Sequence, residues 1–484
     1  LSFASGFGVC YKPDSRGLRL SALYPNEPPP ESSAGTFRDP AGRLYEHDGR
    51  ILREVYAHCA PLVLAQLQSP LVQRWIEQRR MVATRVLSFE PGRSAFLEHD
   101  RIFFPSYPWE WTPGQWMESA SLTLELCQEA IAGGLILKDA TPLNILFSGP
   151  VPMLVDVLSL EERDPQNPLW IAYGQFVRTF LLPLCAYVYL GWPLSATLQR
   201  RDGYEPYDLA PFLPRLGRWR NPLRSLVTLP CLLERNANAG RPQKQVSGEL
   251  STFALHRLLR STRKLLLALT PVPRSSRWSA YTETASHYSF SDDGAKQAFV
   301  RRSLDRIQPA RVLDVGANTG EYSRIAAASG ADVVAWDTDV QAADLNWQTA
   351  RRDSLRILPI VADFARPTPA VGWQNRECPS LLDRAKGRFD CVLMLGILHH
   401  LLLADQIPLH AILEQLSGLT KRWAILEWIP KEDSQFDGLC RGRQELYAHL
   451  DEGFFIKTLS SRFSLRDRCH LPNGRTLWLL EATA

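Results

Sequence analysis

The sequence predicts an α/β chain in two parts. The C-terminal two-fifths is an open, mostly parallel sheet with helices on both faces, preceded by an α+β region. Three observations predict this. Buried-strand signals alternate with helical segments from Ala310 onward, one strand runs into the turn Gly316-Ala317-Asn318-Thr319-Gly320, and the chain finishes on two strand-like runs separated by Pro472-Asn473-Gly474. Strand–helix alternation is the rhythm of βαβ units and therefore of parallel pairing. A closing hairpin adds an antiparallel pair to that sheet.

Composition bounds the rest. A chain of 484 residues exceeds one ordinary core, so two or three domains are expected. Hydrophobic content of 45% with 22% charged residues is ordinary for globular protein, and a net charge of +4 gives no global reason for a nucleic-acid partner. The nine cysteines are scattered without a CxxC pair or metal-ligand spacing, which reads as reduced thiols in a cytoplasmic protein without a bound metal. The most apolar run, Phe180–Leu194, is short for a membrane span and holds Pro183 and Pro193, so it reads as a buried helix. No transmembrane segment or signal peptide is expected. Oligomeric state is not legible.

In order along the chain, residues 1–35 read as a tether, being rich in Pro, Ser and Glu over about Ser15–Ser33. Three strand-like pieces follow, Thr36–Gly42, Arg43–Gly49 and Arg50–Tyr56, then a helical stretch over about 61–83 and a strand-like run Ser94–Trp111. The periodic segment Trp116–Gly134 predicts a helix ended by its two final glycines, and further helices are expected over about 171–269. Apolar residues thin out between Thr270 and Ser286, so the division falls at 275/276. Two basic stretches precede it, Arg215–Ser225 and His256–Leu269; both read as solvated faces, the first also able to hold an anionic group. Beyond the division a helix, Ala295–Ile307, leads into the strand signal Ala310–Val315. Later strands are Ala331–Asp337, Leu355–Phe364, Phe389–Leu398 and Arg422–Ile429, and the terminal pair is Arg462–Leu471 with Arg475–Ala482.

The segment Val312–Ser323, VLDVGANTGEYS, resembles the first motif of class I S-adenosylmethionine-dependent methyltransferases. Gly316 and Gly320 allow a tight turn and close approach of backbone to ligand, and Asn318, in place of the family's middle glycine, still tolerates unusual backbone angles. The turn lacks the full GxGxxG of a pyrophosphate site, which favours a cofactor without phosphate. The resemblance implies that Asp314 faces the cofactor's amino group, that Asp337 binds the ribose hydroxyls with Asp339 as a nearby competitor, and that Asp363 and Phe364 meet the adenine. Leu395, ending the fourth strand, joins this cofactor set. An acid at one strand end is often only a helix cap; three in register with a glycine turn are not readily explained that way.

The fourth strand ends in MLGILHHLLL, which puts His399 and His400 where substrate-facing residues begin. No Asn/Asp-Pro-Pro-aromatic turn and no Pro-Cys nucleophile occurs there, which argues against nucleic-acid substrates. Methyl transfer needs a positioned nucleophile and, for some acceptors, a base. Histidine is a natural base near neutral pH. Either histidine is a candidate, and Glu427 in LEWIP is another; Trp428 lines the pocket or fills core.

In the N-terminal part, Asp139 and Asn144 have the Asp-x4-Asn spacing of kinase catalytic loops, and Asp156 stands where the metal-binding Asp of kinases would be. No glycine-rich phosphate loop is present, and Arg53 replaces the lysine of the third strand, with Glu77 as its possible partner. This reads as a kinase-like region that has lost phosphotransfer. The two-part layout is similar to a bacterial family of class I methyltransferases, some of nodulation type, through Ser106–Trp111, Lys138–Glu161, Pro168–Phe176 and Leu395–Asp433. The resemblance spans nearly all of 36–484 and implies a kinase-like accessory domain at 36–275 and a Rossmann-like seven-stranded methyltransferase domain at 276–484. The expected acceptor is a small molecule or carrier-borne biosynthetic intermediate. The alternatives are a bifunctional kinase–methyltransferase, or a protein or peptide methyltransferase with the N-terminal half as its recognition module.

Overall fold

Two of the three strand-like pieces near the start form strands, β1 (Gly42–His47) and β2 (Arg50–Val55), joined at Asp48 and Gly49, whose φ values are 48° and 76°. Positive φ at both positions suits a tight hairpin whose twist matches its strands. The first piece is not a strand: Ala34–Thr36 is one 3-10 turn and residues 38–41 are turn and bend, with Pro40 unable to donate to a ladder. This computed structural model describes residues 34–36, 38–234, 247–272, 276, 290–440 and 442–483; nearly all of the expected tether lies outside them.

The chain divides into two units, Leu1–Arg101 and Ile102–Ala484. In the first, β1 and β2 continue into an antiparallel sheet of order β1-β2-β4-β3, with β3 at Thr84–Ser88 and β4 at Ala95–His99. The helical stretch between β2 and β3 is two helices, Ala60–Gln68 and Pro70–Glu77, because Pro70 disfavours helical geometry at Ser69. Ser69 is extended instead, and its Oγ accepts from the Val72 amide as the second helix's cap.

In the second unit, the helix Pro113–Ala132 starts on a reciprocal cap. The Thr112 hydroxyl accepts from the Gln115 amide, and the Gln115 side chain accepts from the Thr112 amide. Short antiparallel pairs follow, β5 (Leu135–Leu137) with β8 (Leu160–Glu162) and β6 (Ile145–Ser148) with β7 (Val151–Leu154). The apolar run from Phe180 buries Phe180, Leu181, Leu182, Leu184 and Cys185 and ends its helix at Gly191. Among the described residues no helix is long and apolar enough to cross a membrane. The expected division at 275/276 falls inside this second unit, where most of residues 273–289 lie outside the described set.

The main sheet has seven strands in the order β11-β10-β9-β12-β13-β15-β14. These are β9 (Arg311–Val315), β10 (Asp332–Asp337), β11 (Ile357–Val361), β12 (Phe389–Met394), β13 (Thr420–Trp428), β14 (Phe463–His470) and β15 (Thr476–Ala482). The first five in spatial order are parallel, and β15 runs antiparallel between β13 and β14. Helices cover both faces, so the central strands read as unbroken apolar runs: Val312, Leu313, Val392, Leu393 and Met394 have no measurable exposure. The register sets Asp314 beside Ala335 of β10 and Leu393 of β12. Asp314, Asp337, Asp363 and Leu395 therefore lie at or just beyond the C-terminal ends of β9, β10, β11 and β12, the side on which an open α/β sheet leaves a crevice.

Candidate active site

The turn after β9 is shaped by three residues of positive φ, Gly316 at 73°, Asn318 at 49° and Gly320 at 84°. A Cβ on Gly320 would fall 2.1 Å from Asn346 Oδ1, and one on Gly316 would fall 3.0 Å from Ile397 Cδ1. The backbone angle favours glycine at both, and at Gly320 a side chain would also collide with the buried Asn346 amide. The amides of Gly316 and Ala317 both donate to the Trp336 carbonyl, at 2.9 and 3.0 Å, which ties the turn to β10. Helix Glu321–Ala328 starts directly from Gly320.

A cavity of about 380 Å³ opens against this turn, and its walls contain Asp314, Gly316, Asn318, Asp337, Asp363, Phe364, Leu395, His399 and His400. Gly320 shapes the turn from behind the wall. Asp314 is buried and accepts from Ser323 Oγ at 2.6 Å. Burial pushes its carboxyl up to about 6, with the nearby Asp337 adding to the rise and the Ser323 hydroxyl opposing it. Asp337 Oδ2 accepts from the Asn318 amide at 2.6 Å and Oδ1 from the Asp339 amide at 2.8 Å. Its pKa is raised by burial, against which those two amides pull. Asp339 is the N-cap of helix Val340–Arg352, accepting from the Gln341 and Ala342 amides. Of the two acids only Asp337 lines the cavity.

Asp363 is bound by its own turn, accepting from the Ala365 and Arg366 amides at 2.7 and 3.1 Å and pairing with Arg366 Nε at 3.1 Å. Phe364 is buried beside it, its carbonyl held by Gln415 Nε2 at 2.8 Å. His399 and His400 sit in the first turn of helix Leu398–Leu403, ring centroids 4.2 Å apart. His399 is buried, and its Nδ1 has no hydrogen-bond partner among the described residues. Burial first, then His400, Arg475 and Lys296, hold its pKa down to about 2. His400 is half-buried.

Glu427 is not a solvated loop acid: it lies within β13, fully buried, with Lys296 Nζ 2.7 Å from Oε2 and Arg475 NH1 3.5 Å from Oε1. Burial works against the Lys296 cation, but Glu427 more than offsets it and holds the lysine above its ordinary range. Arg475 also reaches Asp433, Nε to Oδ2 at 2.7 Å. Lys296 and Arg475 both line the cavity while Glu427 stands behind its wall; the Glu427 carboxylate lies 3.7 Å from where a Gly396 Cβ would be. Sequence reasoning missed both cations. Lys296 is one charge in a leading helix, and Arg475 follows the turn glycine of the closing hairpin; neither carries a local signal. Trp428, stacked on Phe455 with centroids 4.5 Å apart, fills core.

The kinase-type residues form a separate group. Asn144 Nδ2 donates to Ser159 Oγ at 2.9 Å, and that hydroxyl donates to Asp156 Oδ2 at 2.7 Å. Asp156 Oδ1 also accepts from the Leu158 amide at 3.2 Å, and Asp139 lies in the loop before the Pro142–Asn144 helix. Arg53 pairs with Asp39 and donates to His99, while Glu77 is exposed. Among the described residues no group of three or more His, Cys, Asp or Glu is placed to hold a metal ion.

A sheet of this order, with a glycine turn and acids at successive strand ends, defines a class I S-adenosylmethionine-dependent methyltransferase domain, and residues 289–452 match the family model described as a methyltransferase domain. Its cofactor is S-adenosylmethionine. Over 482 residues the chain is 27% identical to the nodulation protein NoeA of Rhizobium meliloti, an alignment covering 95% of this chain and 98% of that protein. Among solved structures it is similar to the N-methyltransferase NodS from Bradyrhizobium japonicum, at 13% identity over 40% of this chain and 99% of that one, with a TM-score of 0.31. It is also similar to the bifunctional kinase-methyltransferase WbdD, at 18% identity over 42% of this chain and 41% of that one, with a TM-score of 0.30.

Proposed function

We propose that this domain methylates a small molecule or carrier-borne intermediate, with His400 as proton acceptor. The observation that carries the reading is a single cavity whose walls hold both the three strand-end acids and the histidine pair. Its volume lies within the range of small-ligand pockets. Buried atoms in or beside its wall that have no partner among the described residues, Asn318 Oδ1, Trp336 Nε1 and His399 Nδ1, suit a ligand rich in polar groups. S-adenosylmethionine supplies an electrophilic methyl group when bound. Asp314 is the partner of its amino group, Asp337 of the ribose hydroxyls, and Asp363 with Phe364 and Leu395 the adenine wall.

The two histidines divide the remaining work. An imidazole held as low as that of His399 stays neutral and does not store a proton, but it orients its neighbour and accepts hydrogen bonds. His400 is the more exposed and touches the same cavity, so it is the ring able to take a proton from an acceptor. Glu427 has both oxygens in ion pairs and stands behind the cavity wall, out of reach of an acceptor. Its role is to hold Lys296 and Arg475 at the cavity wall.

The test uses S-adenosylmethionine labelled at the methyl carbon and a bacterial extract as acceptor source. Label in the fraction that escapes protein precipitation, reduced about 100-fold to 10,000-fold by His400→Gln with S-adenosylhomocysteine affinity within about threefold, is the expected result. Label that stays on precipitated protein after hydroxylamine has released carrier-bound groups overturns the acceptor class. Full activity in His400→Gln overturns the base.

The residues upstream are read as a kinase-like accessory region. The succession of small sheet, helices and long helix, with Asn144 and Asp156 joined through Ser159, supports it. The reading includes no phosphotransfer, since no glycine-rich loop precedes β2 and Arg53 is engaged by Asp39 and His99. Magnesium-dependent phosphoryl transfer from ATP that is lost in Asp156→Asn overturns that part.

A further inference from the structure

The basic stretch Arg215–Ser225 has a place in the fold that a solvated face does not explain. Within Pro211–Arg224 the sequence has four arginines and no acid. Its inward residues do ordinary core work, with Leu213 and Leu223 buried. Three of its outward residues are large and apolar: Phe212 is 63% exposed, Leu216 89% and Trp219 48%. The following helix, Leu229–Glu234, adds exposed Leu232 and Leu233. Isolated exposed leucines are unremarkable, but large exposed apolar residues recurring along one short stretch of like charges mark an interaction surface.

The arginines sharpen the assignment. Arg178, Arg200 and Arg201, slightly earlier in the chain, all have carboxylate partners, Glu205, Asp208 and Glu377. Arg215, Arg218, Arg220 and Arg224 have none among the described residues, and Arg215, Arg220 and Arg224 are exposed. Unpaired guanidinium groups beside aliphatic and indole side chains match one surface in particular. An anionic bilayer offers phosphate and carboxylate at the headgroup level and hydrocarbon just beneath, with Trp and Arg favoured at the boundary. Nucleic acid would satisfy the arginines but has no use for Leu216, Leu232 or Leu233.

We infer that the face formed by Phe212, Leu216 and Trp219 with Arg215, Arg220 and Arg224 docks the protein peripherally on an anionic lipid surface. These residues lie outside the cofactor cavity, so docking and cofactor binding are separable.

The experiment is co-sedimentation of the full chain with phosphatidylcholine vesicles, with and without phosphatidylserine, at low and high salt. Binding should require phosphatidylserine and weaken with salt. The triple change Arg215→Gln, Arg220→Gln, Arg224→Gln should lower partitioning about 100-fold, at roughly tenfold or less per arginine. The triple change Phe212→Ser, Leu216→Ser, Trp219→Ser should lower it at least about tenfold. S-adenosylhomocysteine affinity should be unchanged in both, which reports that each variant is folded. Absence of phosphatidylserine-dependent binding overturns the proposal. So does binding to an oligonucleotide that depends on the arginines while the serine variant behaves as wild type; the face would then serve a nucleic acid.

Discussion

Glu110 and Arg384, 274 positions apart in sequence, form an ion pair that is closed to water. Arg384 NH1 lies 3.1 Å from Glu110 Oε2, and NH2 contacts Oε1, a two-point arrangement suited to a guanidinium and a carboxylate. Thr368 Oγ1 donates to the same carboxylate at 2.6 Å, and the Arg384 guanidinium lies over the rings of Phe104 and Tyr107. Nearby, Gln115 Nε2 donates to the Pro359 carbonyl of β11 at 3.0 Å, the Gly114 amide donates to Asp344 at 2.8 Å, and Trp347 Nε1 donates to the Pro150 carbonyl at 3.0 Å. The strand β11 is the edge of the seven-stranded sheet, where unpaired backbone groups invite aggregation. The segment around Glu110–Gln115 covers it.

Breaking this pair from one side should be severe. Glu110→Ala leaves a buried guanidinium without its carboxylate and should cost about 3–5 kcal/mol. Adding Arg384→Met should recover a large part of that loss, because no lone charge remains. Urea unfolding of the two single variants and the double variant measures the coupling; additive losses would mean the pair contributes little.

A fragment beginning at residue 276 should fare badly. It lacks the cover on β11 and exposes Trp347 and Arg384, so it should aggregate or unfold without cooperativity. A fragment beginning at residue 102 should bind S-adenosylhomocysteine as the full chain does. Size-exclusion chromatography and calorimetry compare them. Wild-type affinity in the shorter fragment would establish 275/276 as a true folding boundary.

The two acids at the end of β10 should separate cleanly. Asp337→Ala is expected to weaken S-adenosylhomocysteine binding by roughly 1–3 kcal/mol, the size of charge-assisted hydrogen bonds. Asp339→Ala removes a helix cap and should instead cost about 1 kcal/mol of stability with little change in affinity. Titration calorimetry paired with thermal melts distinguishes them, and the reverse pattern would move the ribose contact to Asp339.

His399 and Asp314 should oppose each other in acid. His399, lowered from 6.5 to about 2, stays neutral in the fold while the unfolded chain takes a proton, so stability is full above about 6.5 and falls as pH drops below it. Asp314, raised from 3.8 to about 6, is protonated in the fold first, so it adds stability as pH falls from about 6 toward 4. Each slope is about 1.4 kcal/mol per pH unit at most. Relative to wild type, His399→Gln should gain stability between about pH 6 and pH 5, and Asp314→Asn should lose it. Denaturation at the two pH values reads both differences; parallel curves would show that neither group titrates as its burial implies.

The sequence by itself determined the C-terminal sheet, its closing hairpin and the positions of Asp314, Gly316, Asn318, Gly320, Asp337 and Asp363 at the turn and strand ends. These features are local: an apolar run buried on both faces, a turn residue and a polar strand end all lie within a dozen positions. It also marked the helix ending at Gly133–Gly134, and it misread the break at Ser69–Pro70 as continuous helix. Tertiary structure decided what depends on distant residues meeting. It joined Lys296 to Glu427 across 131 positions, brought Arg475 to the same carboxylate, and set Glu110 against Arg384. It also separated Asp337 from Asp339 by spending the latter on a helix cap, and buried His399 more deeply than its neighbour. No periodicity or composition encodes such pairings, because each arises only when helix and sheet packing excludes water from both partners at once.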